Sequence, residues 1–277
     1  MIYVNYSKKE IVDNVDKLEH EFAREAMRIT GVTKGVEITT LADVPAKGTG
    51  LGSSSSVTVG LLQALYTYQG ELKTAETLAR EACQIEIDTL RKPIGNQDQY
   101  IAAYGNMRFI TFNNSGIKVE KIELPSENKR RLSDNLLLFS TGLPSNSSEI
   151  LSEQKANINE QLETLSELRE LAFKARDTII DGAFNEFGKL LHQGWKLKKG
   201  LASKINNSKI DEIYEAARRA GAIGGKITGS GGGGFLLLYC PKERQDEVRE
   251  ALKGLRELPF QFEQDGSKVI FNYRRPS

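Results

Sequence analysis

PAKGTGLGSSSSVTVGLLQALYTYQG, residues 45–70, decides how the rest of the chain is read. Before it runs GVEITTLADV, in which Val36 and Ile38 alternate with polar neighbours as in a strand. After the glycines, Val57, Leu61, Ala64, Leu65 and Tyr68 fall on one helical face. The unit is therefore strand, glycine loop, helix. Glycines admit positive φ and let backbone N–H groups approach a ligand closely. Ser53, Ser54 and Ser55 stand at the helix start, where hydroxyls cap free amides or point outward. A helix N-terminus with exposed amides binds phosphate groups well. A plain capped turn needs one serine, whereas four follow the glycines here. The loop lacks the lysine of a G-x-x-x-x-G-K-[ST] phosphate loop. It also has Ser53 where a dinucleotide-binding G-x-G-x-x-G requires its third glycine.

The rest of the chain narrows the class. Its 277 residues are enough for two packed domains. Lys plus Arg number 38 against 37 Asp plus Glu, so net charge gives no argument for nucleic acid or an acidic membrane surface. Cys83 and Cys240 lie in separate apolar stretches and read as reduced, buried thiols. Two histidines, His20 and His192, are too few to build a zinc site with them. No apolar run reaches membrane-span length, and MIYVNYSKKE has no signal-peptide core, so the expected location is the cytoplasm.

Outward from the glycine loop, residues 8–30 read as a charged helix, with Ile11, Val15, Leu18, Phe22 and Ala26 at helical spacing. A helix is expected over 74–89, then the loop RKPIGNQDQY, a helix or turn, and the strand MRFITF. SENKRRLSDN (126–135) is polar and turn-like, and the domain boundary is set there, dividing the chain into 1–128 and 129–277. NLLLFSTG (135–142) reads as a buried strand, and 146–205 as helical with breaks near Gly182 and Gly200. A short helix at 209–220 and a strand–glycine–strand unit at 225–239 follow. A helix at 242–254 and strands at 258–263 and 267–273 close the chain. Long helices mixed with an antiparallel-looking sheet make the fold class α+β.

Three further features carry chemistry. TGSGGGGF (228–235) contains a formal G-x-G-x-x-G at Gly229, Gly231 and Gly234, but it runs into the strand FLLLYC instead of a helix. It reads as a second close-approach loop, since an edge bulge accounts for only one or two glycines. Glu86 continues the stripe of Ala79, Ala82 and Cys83 on its helix. A carboxylate there needs an ion-pair partner or a cation, and magnesium takes one or two carboxylates together with phosphate oxygens. Asp98, between Gln97 and Gln99, can orient or deprotonate a hydroxyl. A phosphate loop, a carboxylate on a buried face, a loop aspartate and a second glycine loop are together the parts for phosphoryl transfer.

These segments resemble the GHMP kinases, the family of galactokinase, homoserine kinase, mevalonate kinase and phosphomevalonate kinase. PAKGTGLGSSSS is similar to the family's Pro-x-x-x-Gly-Leu-Gly-Ser-Ser motif with one added residue, and KITGSGGGGF (226–235) to its C-terminal motif. PIGNQDQYIAAYGN, LLLFSTG and LHQGWKLKKGLASKI are most like the branch acting on heptose 7-phosphate. The resemblance implies a two-domain architecture. Its first part is a nucleotide-binding β-α domain lacking its opening strands, because MIYVNYSKKE looks like a point well inside a full-length relative; its second is ferredoxin-like with long helices. It implies ATP and Mg²⁺, with Lys47, Gly48, Thr49, Gly50, Leu51, Gly52, Ser53, Ser54 and Ser55 on the ATP phosphates. Ser54 and Glu86 would ligate the metal, and Asp98 would face the acceptor hydroxyl. Gln97, Thr141, Gly142, Gly229, Ser230, Gly231 and Gly232 would line the acceptor side. The implied acceptor is a sugar or sugar phosphate, with fucose, another hexose or an isoprenoid acid as alternatives. A nucleotide-binding relative without catalysis is the alternative from another class. Asn96 and Ser145 stand where such relatives commonly carry Lys and Arg, which removes two cations from the acceptor side. Lys196, Lys198 and Lys199 read as a solvated helix face, with the alternative that one of them reaches a substrate phosphate, and Trp195 reads as a packing residue.

Overall fold

Apolar strands with one buried face, followed by helices with an apolar stripe, build two compact units. The computed structural model describes residues 1–44 and 48–273. The first unit comprises Met1–Ala46, Gly52–Arg108 and Glu263–Ser277; the second comprises Lys47–Leu51 and Phe109–Phe262. These units do not divide at 128/129. The chain changes unit at Arg108/Phe109, and its end returns to the first unit, where the Ser267 amide donates to the Ala102 carbonyl (2.9 Å).

In the first unit, β1 (Ile2–Asn5) is the central strand of three. It pairs antiparallel with β2 (Lys9–Val12) and parallel with β3 (Val36–Thr39). Ile2 and Val4 are fully buried while Tyr3 is exposed, the alternation of a one-faced sheet. The expected helix over 8–30 is therefore corrected. Lys9–Val12 forms β2, a 3-10 turn covers Val15–Lys17, and α1 spans only Glu21–Thr30. Ile11, placed on that helix by spacing, sits half exposed in the strand. Asn14 accepts from the Asp16 amide to start the turn. The His20 ring accepts from the Ala23 amide (3.1 Å) to start the helix.

Next come α2 (Ser53–Gln69), α3 (Ala75–Cys83) and α4 (Gln97–Tyr104). α3 runs into a π-helical turn at Gln84–Thr89, whose i→i+5 bonding makes each turn about one residue wider than in the uninterrupted α-helix expected over 74–89. α2 buries Leu61, Leu62 and Leu65, α3 buries Leu78 and Ala82, and Ile85 of the π turn is fully enclosed.

In the second unit, β4 (Arg108–Asn113) and β5 (Gly116–Lys121) form a two-stranded ribbon. SENKRRLSDN, expected as a turn, is the helix α5 (Ser126–Asp134), which follows Pro125 and buries Leu132. β6 (Leu136–Ser140) then enters the sheet, and the chain runs helical through α6 (Ser147–Ala156), α7 (Leu162–Ile180), α8 (Phe184–Lys198) and α9 (Ser208–Ala220). The breaks expected at Gly182 and Gly200 lie at the ends of α7 and α8. β7 (Gly224–Ile227), β8 (Phe235–Tyr239), α10 (Gln245–Ala251) and β9 (Arg256–Glu257) follow. The sheet order is β7-β8-β6-β9, every pair antiparallel. Numbered within this four-stranded sheet the order is 4-1-3-2 with βαββαβ connectivity, the ferredoxin-like arrangement.

Of the strands expected at 258–263 and 267–273, the structure shows only β9, two residues earlier. Beyond the Leu258 amide, which donates to Leu138, the described tail forms no strand, and Ile270 and Phe271 stand exposed. Pro259 cannot donate to a ladder. α8 lies close on β7 because both faces are bare: a Cβ on Gly224 would come 1.9 Å from the Gly188 carbonyl oxygen. Phe139, Trp195, Tyr214, Ile227 and Leu238 fill the core between α8, α9 and this sheet.

Candidate active site

In the first unit the site begins at the start of α2. Gly52 takes a left-handed conformation (φ 69°) as N-cap and supplies no side-chain cap, and the Ser56 amide donates to its carbonyl (3.0 Å). The hydroxyls of the serine run are thus left for other work. Ser53 and Ser54 are half-buried and Ser55 is buried.

Glu86 faces this serine run from the π turn and has no exposed surface. Gln99 of α4, also fully buried, donates its amide to Glu86 Oε1 (2.9 Å). Glu86 Oε2 has no hydrogen-bond partner among the described residues. Burial pushes the Glu86 carboxyl above the ordinary range, and Ser54, Ser55 and Gln99 pull it partly back. The nearby charge of Asp98 pushes it up further. Ser54 and Ser55 thus lie close enough to bias the charge, yet neither hydroxyl has the geometry of a full bond to Oε2. An enclosed carboxylate oxygen with no partner, flanked by hydroxyls and a second carboxylate, is a donor set suited to a hard divalent cation. No cluster of three or more His, Cys, Asp or Glu occurs among the described residues, so a metal here needs oxygens from a ligand as well.

Asp98, expected in a loop, is in the first turn of α4, where a carboxylate complements the helix dipole. It is half-buried and packs on Gly52: a Cβ there would lie 3.4 Å from the Asp98 carboxyl carbon. Gln97, one residue earlier, is exposed. Gln99 was not singled out from the sequence as a site residue. It shares the buried face of α4 with Tyr100 and Ala103, so the reasoning that found Glu86 on an apolar stripe applies to it too.

The second unit holds the other half of the expected residues. Lys47 lies outside the described residues. Gly48, Thr49 and Gly50 pack on the glycine tract backbone to backbone. A Cβ on Gly50 would come 2.7 Å from the Thr228 carbonyl oxygen, and one on Gly229 would come 2.6 Å from the Gly50 Cα. Thr228 Oγ1 donates to the Thr49 carbonyl (3.3 Å). Both glycines also have positive φ, so no other residue fits.

Further along the tract, the Gly232 amide donates to Ile205 and the Gly234 amide to Leu143. Gly231 packs on Ile205 and accepts from the Ser145 hydroxyl (2.6 Å). Ser230 is buried and donates to the Ser147 hydroxyl (3.0 Å). Thr141 is buried and its hydroxyl donates to the Gly234 carbonyl (2.8 Å), which commits it to holding the tract. Gly142 is exposed, with open space beside it.

A serine-rich helix start facing a buried carboxylate, and a glycine loop locked onto a second glycine tract beside a ferredoxin-like sheet, define a phosphate-handling enzyme class. The chain belongs to the GHMP kinases: residues 15–106 match the model of the GHMP kinases N terminal domain and residues 158–255 that of the GHMP kinases C terminal domain. It is 26% identical over 274 residues to D-glycero-alpha-D-manno-heptose 7-phosphate kinase of Campylobacter jejuni, covering 96% of this chain and 80% of that protein. It is 29% identical to L-fucokinase/L-fucose-1-P guanylyltransferase of Bacteroides fragilis, over 78% of this chain and 23% of that longer protein. The crystal structure of a D-glycero-D-manno-heptose 1-phosphate kinase from Bacteroides thetaiotaomicron superposes with a TM-score of 0.76 at 26% identity, covering 96% of this chain and 81% of that one.

Proposed function

We propose that this chain transfers the γ-phosphoryl group of ATP to a hydroxyl of a sugar phosphate of the heptose class. The observation that carries the reading is Glu86, a fully enclosed carboxylate with one unpartnered oxygen, facing the serine run and Asp98. The heptose class is supported by relatives named for heptose phosphates that match 96% of this chain.

In this reading Lys47 and residues 48–55 bind the ATP phosphates, chiefly through the backbone of the loop and the start of α2. Glu86 Oε2 and the Ser54 hydroxyl would hold Mg²⁺, which supplies charge neutralisation on the phosphate oxygens. Asp98 orients the acceptor hydroxyl and takes its proton as the new O–P bond forms. The bond between the γ-phosphorus and the bridging oxygen breaks, and ADP leaves. Gln97 and Gly142, both exposed, are available to the acceptor, with Gly229, Ser230, Gly231 and Gly232 as its backing. Thr141 acts by fixing the tract. The partners are small molecules, and the cytoplasm, where ATP and sugar phosphates occur, is the proposed location.

A coupled ADP-release assay across heptose 7-phosphate, unphosphorylated heptose, fucose and mevalonate tests the assignment. The heptose phosphate should turn over fastest. Asp98→Asn should keep nucleotide affinity and lose turnover by roughly a hundredfold or more. ATP binding without transfer to any acceptor refutes the kinase reading in favour of a nucleotide-binding protein without catalysis. Fastest turnover of fucose moves the assignment to the sugar named for the Bacteroides fragilis relative.

A further inference from the structure

The three lysines near the end of α8 do not share one role. Lys196 is exposed, and Lys199 is paired with Asp211 (2.9 Å). Lys198 is half-buried and turns inward, where its ammonium donates to the carbonyl oxygen of Gly229 in the glycine tract. Gly229 is the residue whose α-carbon side packs on Gly50. Lys198 therefore ends where the tract meets the loop at 48–50, inside the second unit.

Its electrical surroundings are unusual for a lysine. Desolvation, and after it the like charge of Lys226, push the ammonium down to about 7. Lys226 belongs to β7, two residues beyond Gly224, whose α-carbon faces α8 at Gly188 and His192. Alternation along the strand sends Lys226 to the same side. Lys198 forms no ion pair among the described residues, and a neutral carbonyl is a weak partner for a desolvated cation. An ammonium has three N–H donors, and one contact to Gly229 leaves two. A dianionic group would satisfy both donors and cancel the repulsion from Lys226. Charge-assisted bonds to phosphoryl oxygens are among the strongest available to a lysine.

We propose that Lys198, with Lys226 behind it, is a phosphate-binding lysine of the glycine tract, its ammonium taking an oxygen of a phosphoryl group on a bound ligand. This rests on the kinase reading only for the source of that group, the γ-phosphate of ATP or the phosphate already on the acceptor. Within the second unit it also supplies a cation that Ser145 does not.

The test uses the full chain and the variants Lys198→Met and Lys198→Arg, with calorimetric affinities for ATP, ADP, pyrophosphate, heptose 7-phosphate and unphosphorylated heptose. Lys198→Met should weaken at least one phosphate-bearing ligand roughly tenfold to a hundredfold and leave unphosphorylated heptose unchanged. Lys198→Arg, which keeps the charge, should recover part of the loss. A loss for ATP but not ADP identifies the γ-phosphate; a loss confined to heptose 7-phosphate identifies the acceptor's own phosphate. Unchanged affinity for every phosphate-bearing ligand overturns the proposal and leaves Lys198 as a clasp on the Gly229 carbonyl. If Lys198→Met does not fold, Lys198→Gln takes its place under the same criteria. Should the wild-type chain transfer no phosphate to any acceptor yet bind pyrophosphate more tightly than Lys198→Met, the kinase reading fails and the role of Lys198 stands.

Discussion

Replacing Glu86 by Gln should make the ligand-free protein more stable and the enzyme inactive. The native carboxylate is fully enclosed, its Oε2 has no hydrogen-bond partner among the described residues, and its neighbours include the Ser54 and Ser55 hydroxyls and Asp98. Leaving a buried polar atom unsatisfied costs about 1–3 kcal/mol, more when it is charged. Gln fits the same space and keeps the bond from Gln99 to Oε1, while its new amide group can donate to the Ser54 or Ser55 hydroxyl. The expected gain is about 1–2 kcal/mol, a rise in melting temperature of roughly 2–6 °C for a chain of this size.

The gain has a defined pH dependence. Burial raises the folded-state pKa of Glu86 above its ordinary 4.5. Between that value and the raised one, the folded state binds more protons than the unfolded state, so wild-type stability falls as pH rises. Above the raised value the penalty is complete; below 4.5 it is absent. The advantage of Glu86→Gln should therefore grow with pH from near 4.5 and level off. Differential scanning calorimetry of both proteins over that range measures it. Mg²⁺ added with ADP should then stabilise the wild type much more than the variant. A variant that melts below wild type near neutral pH refutes the reasoning, as does a pH-independent gap between the two. Either result means that Glu86 is already satisfied in the fold and is not held ready for a cation.

Three further outcomes follow from the geometry. Gly229→Ala should cost well over the roughly 1–2 kcal/mol of a left-handed Ala, because its Cβ would lie 2.6 Å from the Gly50 Cα; Gly142→Ala, with φ 69° and open space, should cost only the backbone share, and thermal melts of the pair read the difference. Gly188→Ala should lower the melting temperature by several degrees, since the new methyl meets the Tyr239 ring at 2.6 Å; Gly188→Ala with Tyr239→Leu should recover part of the loss. Burial pushes Cys83 up to about 12 and Cys240 to about 11, so neither thiol should react with iodoacetamide in the native protein near pH 8. Rapid labelling of the native chain contradicts this.

Patterning made α2 and α9 legible through apolar residues at helical spacing, and β6 and β8 through short continuous apolar runs that are buried on both faces. It failed at residues 8–30, where Ile11 of a strand and Phe22 of a helix happen to share helical spacing across the Asn14 turn. It failed again beyond Pro259, where apolar residues alternate but no ladder receives them. Residues 116–121 were assigned no element from the sequence, although Ile117 and Val119 alternate with Lys118 and Glu120 as in a strand. The run is short and only half-buried, and its pairing partner β4 is what makes it β5.

The site divides along the same physical line. Glu86 was readable because its neighbours at Ala79 and Ala82 are apolar, so a charge there contradicts its own surroundings. Sequence gives that contradiction without any knowledge of what lies opposite. Lys198 shows the reverse case. Its neighbours Lys196 and Lys199 are charged, and a run of lysines reads as a solvated face. What sets Lys198 apart is across the fold: the Gly229 carbonyl at residue distance 31 and Lys226 on β7. Thr141 illustrates the cost of naming a residue by motif alone. It sits in LLLFSTG, the segment expected to touch the acceptor, yet its hydroxyl is bound to the Gly234 carbonyl. A residue conflicting with its own segment can be found from sequence; a residue whose role is set by a distant partner needs the fold. The glycine tract belongs to both kinds, since its composition announces a close approach and only the structure identifies Gly50 as the backbone being approached.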